Sequence, residues 1–184
     1  FTLKFDYTYD VILRSYEDSL LRFGLNRIDV LVNHDLDRIY HRTEKHIQQR
    51  FLELESGCKA FDELKRSGEI RAFGAGINDK SMMSRFLEEC PLDFFLVAMP
   101  YTLLDQDVLD DIFPKCTSLG VGVVVGAPYA SGILASGAIQ GAKYKYADAT
   151  PQVIQKVRSF ESFCDDHQIP LKAAALQFPL GHPL

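Results

Sequence analysis

The chain has 184 residues, a mass of 20.8 kDa and a net charge of −5, with a pI near 5.5. That acidic balance makes nucleic acid a poor partner, and a 47% hydrophobic share with 24% charged residues excludes a disordered or fibrous chain. The longest apolar runs, Phe94 to Met99 and Val121 to Gly126, are far shorter than the ~20 residues a spanning helix needs, so no membrane segment is expected.

The opening Phe1-Thr2-Leu3-Lys4-Phe5-Asp6 has no basic start, apolar stretch or small-residue cleavage site, and so does not read as a secretory leader. It also lacks an initiator Met, and the chain is expected to start inside something longer or processed. Asp10 to Phe23 sets Ile12, Tyr16, Leu20 and Phe23 on one face at helical spacing, with Gly24 as terminator. Ile28-Asp29-Val30-Leu31-Val32 then reads as a strand buried on both faces. The polar stretch from Leu36 to Gln49 shows no period and is expected to be a long loop, with His41 and His46 on a solvated face.

From Phe51 to Arg66 apolar residues recur at helical spacing, and Ser67-Gly68 closes that helix. Ile70 to Gly76 is the next strand. Lys80 to Cys90 is a helix with Met82 and Met83 in the core, stopped by Pro91. Phe94 to Met99 is the third strand. Asp107 to Leu119 reads as a helix that Pro114 kinks or splits. Val121 to Val125 is the fourth strand, followed by a Gly/Ala/Ser/Tyr-rich loop to about Tyr146 whose small residues permit close backbone approach to a ligand. Thr150 caps a helix from Pro151 to His167, and Pro170 to Phe178 begins another. Asp110-Asp111 and Asp165-Asp166 fall on helix surfaces as solubilising charges. Cys58, Cys90, Cys116 and Cys164 fit no metal or redox spacing and read as buried, reduced thiols of a cytoplasmic protein without a metal site.

Strand and helix alternate with no hairpin between them, which implies parallel strands joined by right-handed crossovers. Both an open doubly wound sheet and a closed (β/α)₈ barrel suit this pattern. No strand-to-helix turn carries GxGxxG or GxxxxGK[ST], so no phosphate cradle of those types is present. In either architecture ligands bind at the carboxyl ends of the strands. Those ends are Asn33-His34-Asp35, Gly76-Ile77-Asn78, Met99-Pro100-Tyr101 and Gly126-Ala127-Pro128-Tyr129.

Three strings in order, Leu25 to Asp35, Leu64 to Asn78 and Gly120 to Leu134, resemble the aldo-keto reductases. The nearest flavour is the branch of aldose dehydrogenases and pyridoxal dehydrogenase, where Asp follows the histidine and the asparagine strand reads Gly-x-Asn. The resemblance implies an α/β fold of the (β/α)₈ TIM-barrel class. The chain would cover roughly strands 4 to 7 with flanking helices, as a single partial domain over residues 1–184 that is incomplete at both ends. It also implies NAD or NADP as cofactor, with a lean to NAD, and a small aldehyde or sugar as substrate.

Residue by residue, the resemblance places His34 as the catalytic histidine and Asn78 on the nicotinamide carboxamide. Ile77 stands at a usual serine and Met99 at a common glutamine, and neither side chain can hydrogen-bond the cofactor as those would. Gly126 occupies the place of a stacking tyrosine. Ala127, Tyr129 and Ser131, around Pro128, align with positions whose backbone N–H groups hold the pyrophosphate. Asp35 and Tyr101 are candidates to touch substrate. The family's Tyr, Lys and Asp lie outside the chain, and Tyr7 and Tyr9, expected at the opposite end of the barrel, are weak replacements. A cofactor-binding regulatory barrel without efficient turnover is the alternative that these three substitutions leave open.

Overall fold

The parallel arrangement anticipated from sequence is present in a computed structural model, which describes residues 4–184. The first three residues, part of the segment read for a leader, lie outside the described residues. The elements are α1 (Tyr9–Phe23), β1 (Val30–His34), α2 (Glu44–Arg66), β2 (Ala72–Gly76), α3 (Lys80–Glu89), β3 (Phe94–Val97), α4 (Ile112–Leu119), β4 (Gly122–Val125), α5 (Ile133–Ser136), β5 (Lys143–Tyr144), β6 (Ala147–Asp148), α6 (Pro151–Asp166) and α7 (Leu171–Gln177). One sheet runs in the order β1-β2-β3-β4. β1 pairs with β2 in parallel from Val30 opposite Ala72 to His34 opposite Gly76, and β2 pairs with β3 from Gly74 opposite Phe94 to Gly76 opposite Leu96. Among the described residues no helix is long and apolar enough to cross a membrane.

The chain divides into two compact units, residues 4–96 with 115–123, and residues 97–114 with 124–184. In the first, α2 begins at Glu44, five residues before the expected loop ends, because Thr43 caps it by accepting the His46 N–H and because Ile47, Phe51 and Leu54 already mark one buried face. The core is largely aromatic. Phe61 stacks on Phe73 at 4.5 Å, Phe51 meets Phe86 edge-on at 5.0 Å, and the Arg85 guanidinium covers the Phe51 ring at 4.1 Å. Met82 and Met83 are buried as expected.

α1 departs from its pattern: Ile12 and Tyr16 are buried, whereas Phe23 is 67% exposed, because the contacts that order α1 lie toward its start. β1 departs as well. Among the described residues Val30 and Val32 are exposed and Asn33 is buried, the alternation that a period of two imposes along a strand, so the expected burial on both faces is not seen there. Cys58 is half-buried, while Cys90, Cys116 and Cys164 are buried.

In the second unit, Leu104, Ala130, Ile133, Leu134, Val157 and Ala175 form the core. The segment after Gly126 is more ordered than a loop: a 3₁₀ turn spans Ala130–Gly132, α5 follows, and β5 pairs antiparallel with β6. That hairpin corrects the expectation of none. Two-residue strands are too short to show a period, and the turn residues Lys145 and Tyr146 adopt φ of 50° and 65°, a mirror-image turn without the usual Asn or Gly signal. Tyr144 donates its hydroxyl to Asp105 at 2.6 Å, and Lys143 pairs with Asp148 at 2.6 Å. Pro114 sits in the first turn of α4, behind a separate 3₁₀ turn at Asp107–Leu109, so the proline divides two pieces rather than kinking one.

Asp93 ties the sheet together at the start of β3. Its N–H donates to the Phe73 carbonyl and its carboxylate accepts the Phe73 N–H, both at 2.9 Å. The same carboxylate holds Lys65 Nζ at 2.6 Å, and its carbonyl accepts the Gly122 N–H at 2.9 Å. Asp93→Ala strands a backbone donor and a lysine, and should destabilise the full-length protein by about 2 kcal/mol. Asp93→Asn keeps an acceptor for Phe73 and should cost less than half of that; urea unfolding with an unchanged m-value checks both.

Candidate active site

A parallel ladder ends all its strands at one edge, so β1 and β2 deliver His34 and Gly76 side by side in the first unit. The His34 ring is 64% exposed, and its Nδ1 lies 2.9 Å from Oδ2 of Asp35. Asp35 adopts a left-handed backbone with φ of 60°, a conformation that aspartate tolerates better than most residues, and its N–H donates to the Gly76 carbonyl at 3.2 Å. A Cβ at Gly76 would stand 2.6 Å from Cδ2 and 3.2 Å from Nε2 of His34, so glycine there is what leaves this edge of the ring open. Asn33 points to the opposite face of the strand, and its side-chain nitrogen is buried without a hydrogen-bond partner among the described residues.

Behind His34 lies a buried pair that residue type and spacing do not announce. Tyr7 is not at the far end of the strands. Its hydroxyl donates to the His34 carbonyl at 3.2 Å and sits 3.2 Å from Nε2 of His41. Gly57 in α2 makes this approach possible, because a Cβ there would collide with the Tyr7 carbonyl and the Ile12 side chain. His41 is 5% exposed rather than solvated, with Phe5 edge-on to it at 4.8 Å. Arg38, Arg42 and Lys45 around it are exposed while its ring turns in, a distinction that their shared polarity conceals. His46 is exposed, as expected. Burial, and then the Asp35 carboxylate, push the Tyr7 phenol above its ordinary range, so it remains a hydrogen-bond donor. Tyr9 lies elsewhere, with its hydroxyl on Glu63.

At the end of β2, Ile77 is 2% exposed and donates its N–H to the Leu96 carbonyl at 3.0 Å. Asn78 is half-buried, immediately before Asp79, the residue that caps α3 through the Ser81 N–H at 2.8 Å.

In the second unit, Met99 and Tyr101 are buried. The Tyr101 ring packs against Phe113 and Phe178, with centroids at 5.0 and 5.1 Å, and burial raises its phenol above the ordinary range. Gly126 is exposed, and Ala127, Pro128, Tyr129 and Ser131 are half-buried. Among the described residues, the turns of this segment use the N–H groups of Gly126, Ala130, Gly132 and Leu134, and not those of Ala127, Tyr129 and Ser131. Ala130, Ser131 and Gly132 are all left-handed, with φ of 49°, 63° and 100°. The Ser131 hydroxyl accepts the Tyr146 N–H at 3.1 Å, so the hairpin turn is tied to the same segment.

The family model described as the Aldo/keto reductase family matches residues 2–184. The chain belongs to the aldo-keto reductase family. It is 38% identical over 178 residues to a pyridoxal 4-dehydrogenase of Microbacterium luteolum, covering 97% of this chain and 52% of that protein. It is also 32% identical over 182 residues to a D-threo-aldose 1-dehydrogenase of a Pseudomonas species, covering 98% and 53%. The chain thus spans about half the length of the curated relatives it matches. Among solved structures, the holo form of an aldo-keto reductase from Bacillus halodurans superposes with a TM-score of 0.71 at 24% identity, covering 97% of this chain and 55% of that one. This likeness places the parallel sheet and its helices in the (β/α)₈ barrel class of the aldo-keto reductases.

Burial holds the His41 imidazole below its ordinary pKa, with Arg50 acting in the same direction; Asp37 and Glu53 oppose them, and His46 reinforces them. A depressed folded-state value means that the neutral ring contributes stability above the unfolded value, which is lost as pH falls through the folded one. Thermal unfolding of this aldo-keto reductase should therefore show a decline in Tm below about pH 6.5. His41→Gln should flatten that decline.

Proposed function

We propose that the protein is a nicotinamide-dinucleotide-dependent oxidoreductase of the cytoplasm. It interconverts an alcohol or hemiacetal with its carbonyl on an aldose or an aromatic aldehyde, and prefers NAD to NADP. The observation that carries the reading is His34, exposed at the carboxyl end of a parallel strand with the Asp35 carboxylate 2.9 Å from its ring, in a chain of this family. The pyridoxal and aldose dehydrogenases it resembles supply the substrate class. The described residues then form part of one barrel domain.

A bound nicotinamide dinucleotide supplies the hydride donor or acceptor. His34 hydrogen-bonds the substrate oxygen, orienting it and stabilising the charge that develops there. Asn78 matches the donor and acceptor of a carboxamide with its own amide. The N–H groups of Ala127, Tyr129 and Ser131 take the pyrophosphate, a role that tolerates side-chain change because the backbone performs it. Gly126 and Pro128 shape that segment. Ile77 and Met99 bring apolar surface where a serine and a glutamine would bring hydrogen bonds, so the carboxamide is held by fewer groups. Asp35 and Tyr101 stand beside strand ends, where a substrate passes.

The test uses the full-length protein with NAD and with NADP, following nicotinamide absorbance against a panel of aldoses and pyridoxal. Substrate-dependent reduction, faster with NAD, is expected. His34→Ala should lower kcat by about 10²- to 10⁴-fold while cofactor affinity changes by less than about twofold. Cofactor binding with no turnover on any of these compounds would favour a regulatory barrel instead.

A further inference from the structure

We infer that Tyr7 is a positioning residue for His34: its hydroxyl and the Gly76 carbonyl clamp the peptide that follows the histidine, and the clamp aims the imidazole at the substrate oxygen. The inference rests on the reading of His34 as the group that meets the substrate. The His34 carbonyl and the Asp35 N–H belong to one planar peptide and point in opposite directions across it. The carbonyl accepts from the Tyr7 hydroxyl at 3.2 Å, and the N–H donates to the Gly76 carbonyl, also at 3.2 Å. Holding both ends restrains ψ of His34 and φ of Asp35 together. That φ is 60°, a value that a residue other than glycine keeps only where its surroundings impose it.

The clamp is built from elements that do not depend on the His34 side chain. Arg50, Glu53, Ser56 and Gly57 recur on one face of α2 and meet the segment that carries Tyr7. Glu53 accepts the Tyr7 N–H at 3.4 Å and holds Arg50, whose guanidinium donates to the Phe5 carbonyl at 3.1 Å; Ser56 accepts the Tyr9 N–H at 3.3 Å. At Gly57 the absence of a Cβ lets the Tyr7 backbone reach the helix. From the other side, the buried Asp37 accepts the Ile39 N–H on its carboxylate at 2.8 Å and the His41 N–H on its carbonyl at 2.9 Å. That turn brings the His41 ring within 3.2 Å of the Tyr7 hydroxyl. The phenol is thus fixed at its backbone and at its oxygen. The His34 ring is 64% exposed, so its aim owes more to the backbone that carries it than to packing. A hydrogen bond from that ring to a substrate weakens steeply once it is misaligned.

The experiment compares the unaltered full-length protein with Tyr7→Phe, which keeps the ring and removes the hydroxyl. kcat should fall about 10-fold, the worth of one hydrogen bond that sets the geometry of reaction, while the KM for the cofactor stays within about twofold. Backbone ¹⁵N relaxation reads the clamp directly, at the Asp35 amide. In the unaltered protein that amide should be as rigid as the strands, with an order parameter of about 0.85, and Tyr7→Phe should lower it below about 0.6 while the amides of β2 keep their values. A merely structural tyrosine would lower Tm and leave both kcat and the Asp35 amide of the folded protein unmoved. A mobile Asp35 amide in the unaltered protein overturns the inference without any variant. So does a Tyr7→Phe protein that keeps kcat within about twofold, keeps the Asp35 amide rigid, or does not fold, which would assign Tyr7 to the structure alone. Each of these leaves the proposed function standing. Undiminished turnover in His34→Ala overturns the proposed function, and with it any role for the clamp in catalysis.

Discussion

The arrangement at the carboxyl edge depends on how the strands are tied at their other end, and there one residue, through its backbone and its side chain, makes the decisive bonds. Asp93 exchanges two hydrogen bonds with the backbone of Phe73, holds Lys65, and offers its carbonyl to Gly122, so the starts of β2, β3 and β4 are fixed to one residue. Parallel strands have no tight turn to set their register, which must come from such contacts and from the fit of side chains between layers. Once Phe73 is paired at the base, Gly76 follows three residues on, opposite His34. A slip of one residue would send His34 to the helix side and bring Asn33 to the open face.

That register explains why glycine and histidine share the edge. β2 reads Ala-Phe-Gly-Ala-Gly, a poor strand by propensity, and its glycines have a steric purpose. A Cβ at Gly74 would meet the carbonyl and ring of Phe94, and one at Gly76 would meet the His34 ring. The weakness of β2 as a strand is the cost of close packing on one side and of an unobstructed imidazole on the other. The aromatic stack of Phe61 on Phe73 and the buried residues of α2 offset it.

Much of this fold was legible. Four β-branched or apolar runs separated by amphipathic segments dictate a parallel sheet, because burial of one helix face and alternation along a strand are properties of local pattern. The strand ends, and with them His34, Ile77 and Asn78, followed directly. The short hairpin of β5 and β6 was not legible, since two residues carry no period and Lys145-Tyr146 carries no turn signature. Nor was the early start of α2, whose first turn is polar because it faces solvent. Phe23, Val30 and Val32 are exposed among the described residues, because hydrophobicity along the chain states a preference and does not say which surface meets it.

Sequence by itself determined the class of fold, the family, and the order in which chemistry-bearing residues reach the strand ends. These are encoded in local periodicity and in motifs a few residues long. Only the tertiary structure decided what surrounds His34. Tyr7 and His41 stand 27 residues before it and 7 after it, and no pattern along the chain marks them as partners. Asp35 adjoins His34 in sequence, but only its left-handed backbone and the neighbouring strand bring its carboxylate within 2.9 Å of Nδ1. The physical reason is one of range: secondary structure answers to neighbours within a few residues, whereas the orientation of a side chain answers to whatever the folded chain brings within a few ångströms.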